Sequence, residues 1–158
     1  MNELDFKNGV LHAEDIALDQ NAKEFATPCY VYSKAALTQA FSDFSAGLIG
    51  TNHLVCFAVK ANPNIAILNL FAKLGAGFDI VSGGELARVL AAGGDPQKIV
   101  FSGVGKNADE MRAALNAGIF CFNVESASEL NRLNQVAGEM GKIAPVSLRV
   151  NQIGRAHV

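Results

Sequence analysis

An α/β protein whose parallel strands form part of a (β/α) barrel is the fold class that this sequence predicts. Three observations carry that reading. From residue 53 onward, short apolar runs alternate with amphipathic helical stretches, and the runs begin 21 to 26 residues apart, the length of one βα unit. Two of the helical stretches open on a Ser-x-x-Glu capping box, Ser82 to Glu85 and Ser126 to Glu129, in which hydroxyl and carboxylate satisfy free helix N–H groups. Most of the apolar runs have a bulky face and a smaller face that turns polar at the C-terminal end. A closed barrel needs that asymmetry, whereas an open sheet covered on both sides would be apolar on both.

Taken in order, residues 1–31 lie outside the βα rhythm. Residues 9–11 and 28–32 read as strands, separated by an acidic helical piece at 14–25, and the whole segment reads as an arm that pairs with a β domain outside this chain. A helix at about 34–48 leads into strands at 53–59, 77–81, 98–101, 119–124 and 145–150, with helices at about 64–75, 83–93, 108–117 and 126–140 between them. Gly93, Gly94 and Gly118 supply helix stops. In the first of these strands Val55, Phe57 and Val59 share one face, and Cys56, Ala58 and Lys60 the other. The second sets Phe78 and Ile80 against Asp79 and Val81. The fourth sets Phe120, Phe122 and Val124 against Cys121, Asn123 and Glu125. The last sets Val146, Leu148 and Val150 against Ser147, Arg149 and Asn151. The closed (β/α)8 form needs more strands than the five counted here. The organisation read from these patterns is an arm at 1–31, an incomplete barrel at 32–151 and a tail at 152–158.

Composition narrows the function classes. The chain has 158 residues, half of them hydrophobic, and a formal net charge of −2, so it has material for one core and no excess of cations for nucleic acid or anionic lipid. No apolar stretch is long enough to span a membrane, and the early acids of the N-terminus do not form a secretion signal. Cys29, Cys56 and Cys121 are odd in number and lack zinc or disulfide spacing, which fits free thiols in the cytoplasm.

Lys60 is the first candidate for chemistry. It closes an apolar strand on the inward face, where a desolvated amine becomes a usable nucleophile toward an aldehyde. A lysine that simply leaves a strand for water fits the same pattern. The inward polar groups at neighbouring strand ends favour the first reading. Asp79 reads either as a site carboxylate or as a strand-end cap, and Arg149 either as a site cation or as an ion-pair partner of Asp79 or Glu125. Glu85 and Glu129 read as capping acids. Lys106 follows a Gly-x-Gly turn without the rest of a phosphate loop, and reads as lining the mouth or as solvated. His12 and His53 have no ligand pattern around them.

These segments, taken together, resemble a known family. Phe57-Ala58-Val59-Lys60-Ala61-Asn62-Pro63 is similar to the cofactor-lysine motif of the fold-type III pyridoxal-phosphate (PLP) decarboxylases. Gly77 to Leu86, Val100 to Lys106, Phe122 to Ser126 and Leu148 to Asn151 follow in that family's order and spacing. The Ser82-Gly83-Gly84-Glu85-Leu86 and Phe101-Ser102-Gly103-Val104-Gly105-Lys106 runs are most similar to the branch that acts on meso-2,6-diaminopimelate.

The resemblance implies an alanine-racemase-like (β/α)8 barrel followed by a β domain, a homodimer, and pyridoxal 5′-phosphate as cofactor. It implies decarboxylation of meso-2,6-diaminopimelate to L-lysine and CO2, the last step of lysine biosynthesis. Lys60 would bind the cofactor covalently, and Asp79 and Arg149 would lie in its pocket. The family's ring-stacking histidine, phosphate loop, pyridine-nitrogen acid and β-domain residues would fall beyond residue 151, so this piece alone is expected to be inactive. Ornithine, arginine or carboxynorspermidine decarboxylation is the nearest alternative. A non-catalytic PLP-binding barrel is another, and the strand at 9–11 argues against it. The tail at 152–158 departs from the family, and one set of codons for it reproduces the start of a sequencing adapter, so those residues read as non-native.

Overall fold

The computed structural model describes residues 4–150; the expectation for the tail at 152–158 lies outside them. The chain divides into two compact units between Asn52 and His53.

In the first unit, β1 (Leu4–Lys7), β2 (Val10–Ala13) and β3 (Ile16–Ala17) form an antiparallel sheet in that order. The β1–β2 hairpin pairs Lys7 with Val10 across Asn8 and Gly9, whose φ values of 52° and 80° are those of a tight two-residue turn. Helix α1 (Leu18–Phe25) follows directly, four residues later than the helical pattern at 14–25 suggested, because Glu14 and Asp15 turn the chain from β2 into β3. Helix α2 (Lys34–Ala46) is capped at Ser33, whose hydroxyl accepts from the Ala36 N–H and donates to Glu14. Residues 28–32, expected as a strand, pair with no strand among the described residues, and Tyr30 and Tyr32 stack on each other in the open.

The second unit carries the βα repeat. Its strands are β4 (Cys56–Ala58), β5 (Gly77–Ile80), β6 (Ile99–Phe101), β7 (Cys121–Val124) and β8 (Val146–Leu148). They form one parallel sheet in sequence order. Strand order never reverses, as it would in a doubly wound sheet, so each crossover adds the next strand on the same side, as in a barrel wall. Helices α3 (Ile65–Lys73), α4 (Gly83–Ala91), α5 (Ala108–Ala117) and α6 (Ala127–Glu139) make those crossovers. They lie within three residues of the helices that the sequence pattern predicts.

The core lies between helices and sheet. Phe78, Ile80, Ile99, Phe101 and Phe122 are fully buried with Leu68, Val89 and Met111, and Phe101 stacks on Phe122 at 5.9 Å. Each such side chain contributes about 1.5–3 kcal/mol by leaving water. Gly77 and Gly94 sit where this packing allows no side chain: a Cβ on Gly94 would lie 2.5 Å from Val89 Cγ1. Asp79, Val100, Cys121 and Asn123 alternate onto the other face and remain partly accessible. At the outer strand β8, Val146 and Leu148 are exposed.

Candidate functional site

The C-terminal ends of β4 to β8 collect the polar side chains that strand alternation predicted. Lys60 sits at the end of β4, with a difference. The strand stops at Ala58, and residues Val59–Ala61 form a single 3-10 turn that buries Val59 and leaves Lys60 exposed. The apolar enclosure expected of a strand-ending inward lysine is therefore not built by the described residues. Among them, the Lys60 amine has neither a hydrogen-bond nor an ion-pair partner.

Asp79 lies in register with Ala58 on one side and Val100 on the other. Its Oδ1 accepts a hydrogen bond from the Ser102 hydroxyl at 2.5 Å, and Ser102 Oγ in turn accepts from Asn123 Nδ2 at 2.9 Å. The direction is fixed by chemistry. Ionised Asp79 can only accept, so the hydroxyl hydrogen goes to it, and the amide must supply the hydrogen on the other side. The short distance is typical of a charge-assisted O–H···O− bond. Three neighbouring strand ends thus contribute one link each. Ser102 belongs there because its backbone N–H extends the β5–β6 ladder by donating to Ile80 O at 2.8 Å. Among the described residues, Asp79 is neither a cap nor an ion-pair partner.

Arg149 follows β8 and donates its backbone N–H to Val124 O. Its guanidinium reaches Glu125 rather than Asp79, through one contact of 3.4 Å from Nη1 to Oε1. At half exposure and that length the contact is loose, and it leaves most of the five donors of Arg149 uncommitted among the described residues. The same Glu125 oxygen accepts from the Gly103 N–H at 3.1 Å. Gly103 has φ of +90°, the left-handed region that favours glycine, and a Cβ placed on it would lie 3.4 Å from Val81 Cβ.

Lys106 departs from both expectations: it neither lines the mouth nor reaches solvent. Its side chain is 0% exposed, and its ammonium donates to Gly103 O at 2.6 Å, Asn123 O at 2.9 Å and Glu129 Oε1 at 2.6 Å. It also lies 5.6 Å from the Phe101 ring centre. Glu129 caps α6 as expected, although its second oxygen reaches one residue further back, to the Glu125 N–H. Glu85 does the same for α4 by accepting from the Val81 N–H. A third box, Asn107 with Glu110, starts α5, and Glu110 also accepts from Gly83 N–H. The sequence signal for it is Asn three residues before Glu, the same spacing as in the two serine boxes.

Cys56 and Cys121 lie on the inner face. Burial pushes both thiols up from their usual range, and for Cys56 the Asp79 charge adds to the effect. They are neutral lining groups and not nucleophiles at neutral pH. The residues that the sequence reading passed over are Ser102 and Asn123. Both stand at strand ends on the polar face, the position that singled out Asp79.

The arrangement joins Asp79 to Ser102 and Asn123, and Arg149 to Glu125. It makes no direct bond among Lys60, Asp79 and Arg149, and gathers them along one edge of one sheet. Among the described residues, an unpartnered amine, a carboxylate with one oxygen still uncommitted and a guanidinium with spare donors can together hold a molecule carrying an aldehyde, a cationic group and an acceptor.

Comparison with known proteins gives this geometry a context. A sequence profile of the pyridoxal binding domain of pyridoxal-dependent decarboxylases matches residues 34–157. The chain is 58% identical over 151 residues to the diaminopimelate decarboxylase of Pseudomonas aeruginosa, covering 96% of this chain and 36% of that protein. Among solved structures, that of a diaminopimelate decarboxylase from M. jannaschi superposes with a TM-score of 0.91 at 35% identity, over 95% of this chain and 36% of the other. That of the Helicobacter pylori diaminopimelate decarboxylase complexed with L-lysine gives 0.82 at 42% identity, over 85% and 34%. The chain therefore spans little more than a third of the length of the relatives it matches.

Proposed function

The chain belongs to the pyridoxal-dependent decarboxylases through their pyridoxal binding domain, and on that premise we propose that the complete protein converts meso-2,6-diaminopimelate to L-lysine and CO2. The observation that carries the substrate is the 58% identity to a diaminopimelate decarboxylase across nearly the whole chain. The Helicobacter pylori relative with bound L-lysine, the product of this reaction, supports it.

The residues at the sheet edge fit the cofactor. When bound, pyridoxal 5′-phosphate supplies the electron sink for the charge left as CO2 departs. Lys60 is the amine that would bond to the cofactor aldehyde, and its lack of any partner among the described residues leaves it available. Asp79 keeps one oxygen for a cationic group, and Ser102 and Asn123 hold the other. Arg149, only loosely tied to Glu125, offers donors to an acceptor on cofactor or substrate. Homodimer formation and a cytoplasmic location complete the proposal; among the described residues, no helix is long and apolar enough to cross a membrane.

The test is CO2 release by the complete gene product supplied with the cofactor, comparing meso-diaminopimelate with ornithine and arginine. The proposal expects a clear preference for meso-diaminopimelate. A preference for ornithine or arginine would replace the substrate while keeping the family.

A further inference from the structure

We propose that Lys106, through its buried ion pair with Glu129, is a positioning residue that sets the geometry of both polar chains at the mouth of the sheet. The assignment rests on the cofactor reading above. Two of the three acceptors of Lys106 are the backbone carbonyls of Gly103 and Asn123. Asn123 is where the chain through Ser102 to Asp79 begins. Gly103 supplies the N–H that meets Glu125, the carboxylate beside Arg149. One cation is thus bonded to the residue at the root of each chain, although it is sealed from the mouth itself.

Stability alone is a poor account of this pair. Removing two charges from water offsets most of their mutual attraction, and an apolar pair of similar volume often serves a core as well or better. The site would suit one, since the Lys106 side chain is fully buried beside the Phe101 ring. An apolar pair cannot supply bonds aimed at two separate carbonyls, and a compact ammonium with three rotatable donors can. The third donor is taken by Glu129, which also holds the Glu125 backbone N–H. Lys106, fixed to its own turn at Gly103 O, therefore ties the turn after β6 to Asn123 of β7 and to Glu129 of α6, and Glu129 in turn holds the Glu125 N–H after β7.

The test is Lys106→Met with Glu129→Gln in the complete protein, which removes both charges together and leaves no buried ion unpaired. Three quantities are read: the melting temperature of the apoprotein, the dissociation constant for pyridoxal 5′-phosphate from the visible band of lysine-bound cofactor, and the pH midpoint of that band. The expected result is melting lowered by about a few degrees, because Gly103 O and Asn123 O lose the Lys106 donor, cofactor binding weakened by about tenfold, and a displaced pH midpoint. Unchanged affinity and midpoint would make the pair purely structural and overturn the assignment. Lys106→Arg is the second variant, and it decides the matter where the double variant does not fold. It keeps the charge paired, but its planar fork cannot meet three acceptors arranged around one point. Weakened cofactor binding supports the assignment, and wild-type binding overturns it. A wild-type protein that folds but shows no band with the cofactor would instead overturn the cofactor reading itself.

Discussion

Ser102→Ala cuts the link between Asp79 and Asn123 with almost no change in volume, so its cost isolates the hydrogen bonds. The wild-type hydroxyl donates to Asp79 at 2.5 Å and accepts from Asn123 at 2.9 Å, and Ser102 is 3% exposed. A hydrogen bond to a charged group contributes about 1.5–3 kcal/mol, and a neutral one about 0.5–1.5 kcal/mol. Asp79 and Asn123 are both partly accessible, so water can replace part of what each loses. That places the expected loss near the lower end, at about 1–2 kcal/mol. Urea unfolding of the complete protein at neutral pH measures it, with Asp79→Asn and the double variant closing a mutant cycle. Coupling between the two positions of about 1 kcal/mol is expected. Strict additivity, or a Ser102→Ala protein as stable as wild type, would show that the relay contributes nothing and that Asp79 is held by something else.

Gly77→Ala should destabilise by at least about 1–3 kcal/mol through overpacking, because the new Cβ would meet Lys98 O at 2.5 Å and Cys56 Sγ at 2.7 Å; a denaturation midpoint at or above wild type would contradict the packing described. Alkylation at neutral pH, followed by peptide mass spectrometry, should modify exposed Cys29 well ahead of Cys56 and Cys121. The raised thiols also carry a pH signature: the stability gained by keeping them neutral is fully present below the unfolded thiol pKa and lost as pH rises through the folded values, so Cys56→Ala should flatten the alkaline limb of the stability curve. At the acid end, Glu14 is held below the usual carboxylate range, first by the Ala35 backbone N–H and then by the Ser33 hydroxyl. Its contribution is present above the unfolded carboxylate pKa and lost as pH falls through the lowered value, so Glu14→Gln should lessen the acid dependence of folding. An acid unfolding curve identical to wild type would remove that role.

The sheet was legible because its physics is local. Phe78 and Ile80 against Asp79 already show which face packs on helices, and the same alternation marks the polar strand ends. The first hairpin was partly missed, since β1 is four residues long and exposed throughout, leaving the Asn8-Gly9 turn as its sole signal. The strand expected at 28–32, in an arm read as pairing with a β domain outside this chain, finds no partner among the described residues. Its residues have strand-like composition, but pairing depends on a partner that composition does not name. Lys60 follows β4 by two residues rather than closing the strand, and the turn that exposes it depends on how Val59 packs. Lys106 was misread because its acceptors lie 3, 17 and 23 residues away in sequence. Only the folded sheet brings them together, and no motif spacing announces it.

The central claim is that Lys60 carries the cofactor, and borohydride reduction of the complete protein with pyridoxal 5′-phosphate tests it most directly. Peptide mapping by mass spectrometry should find the reduced cofactor on the peptide containing Lys60, and the label should vanish in Lys60→Ala. Labelling of another lysine instead, or no label on folded wild-type protein, would contradict the account.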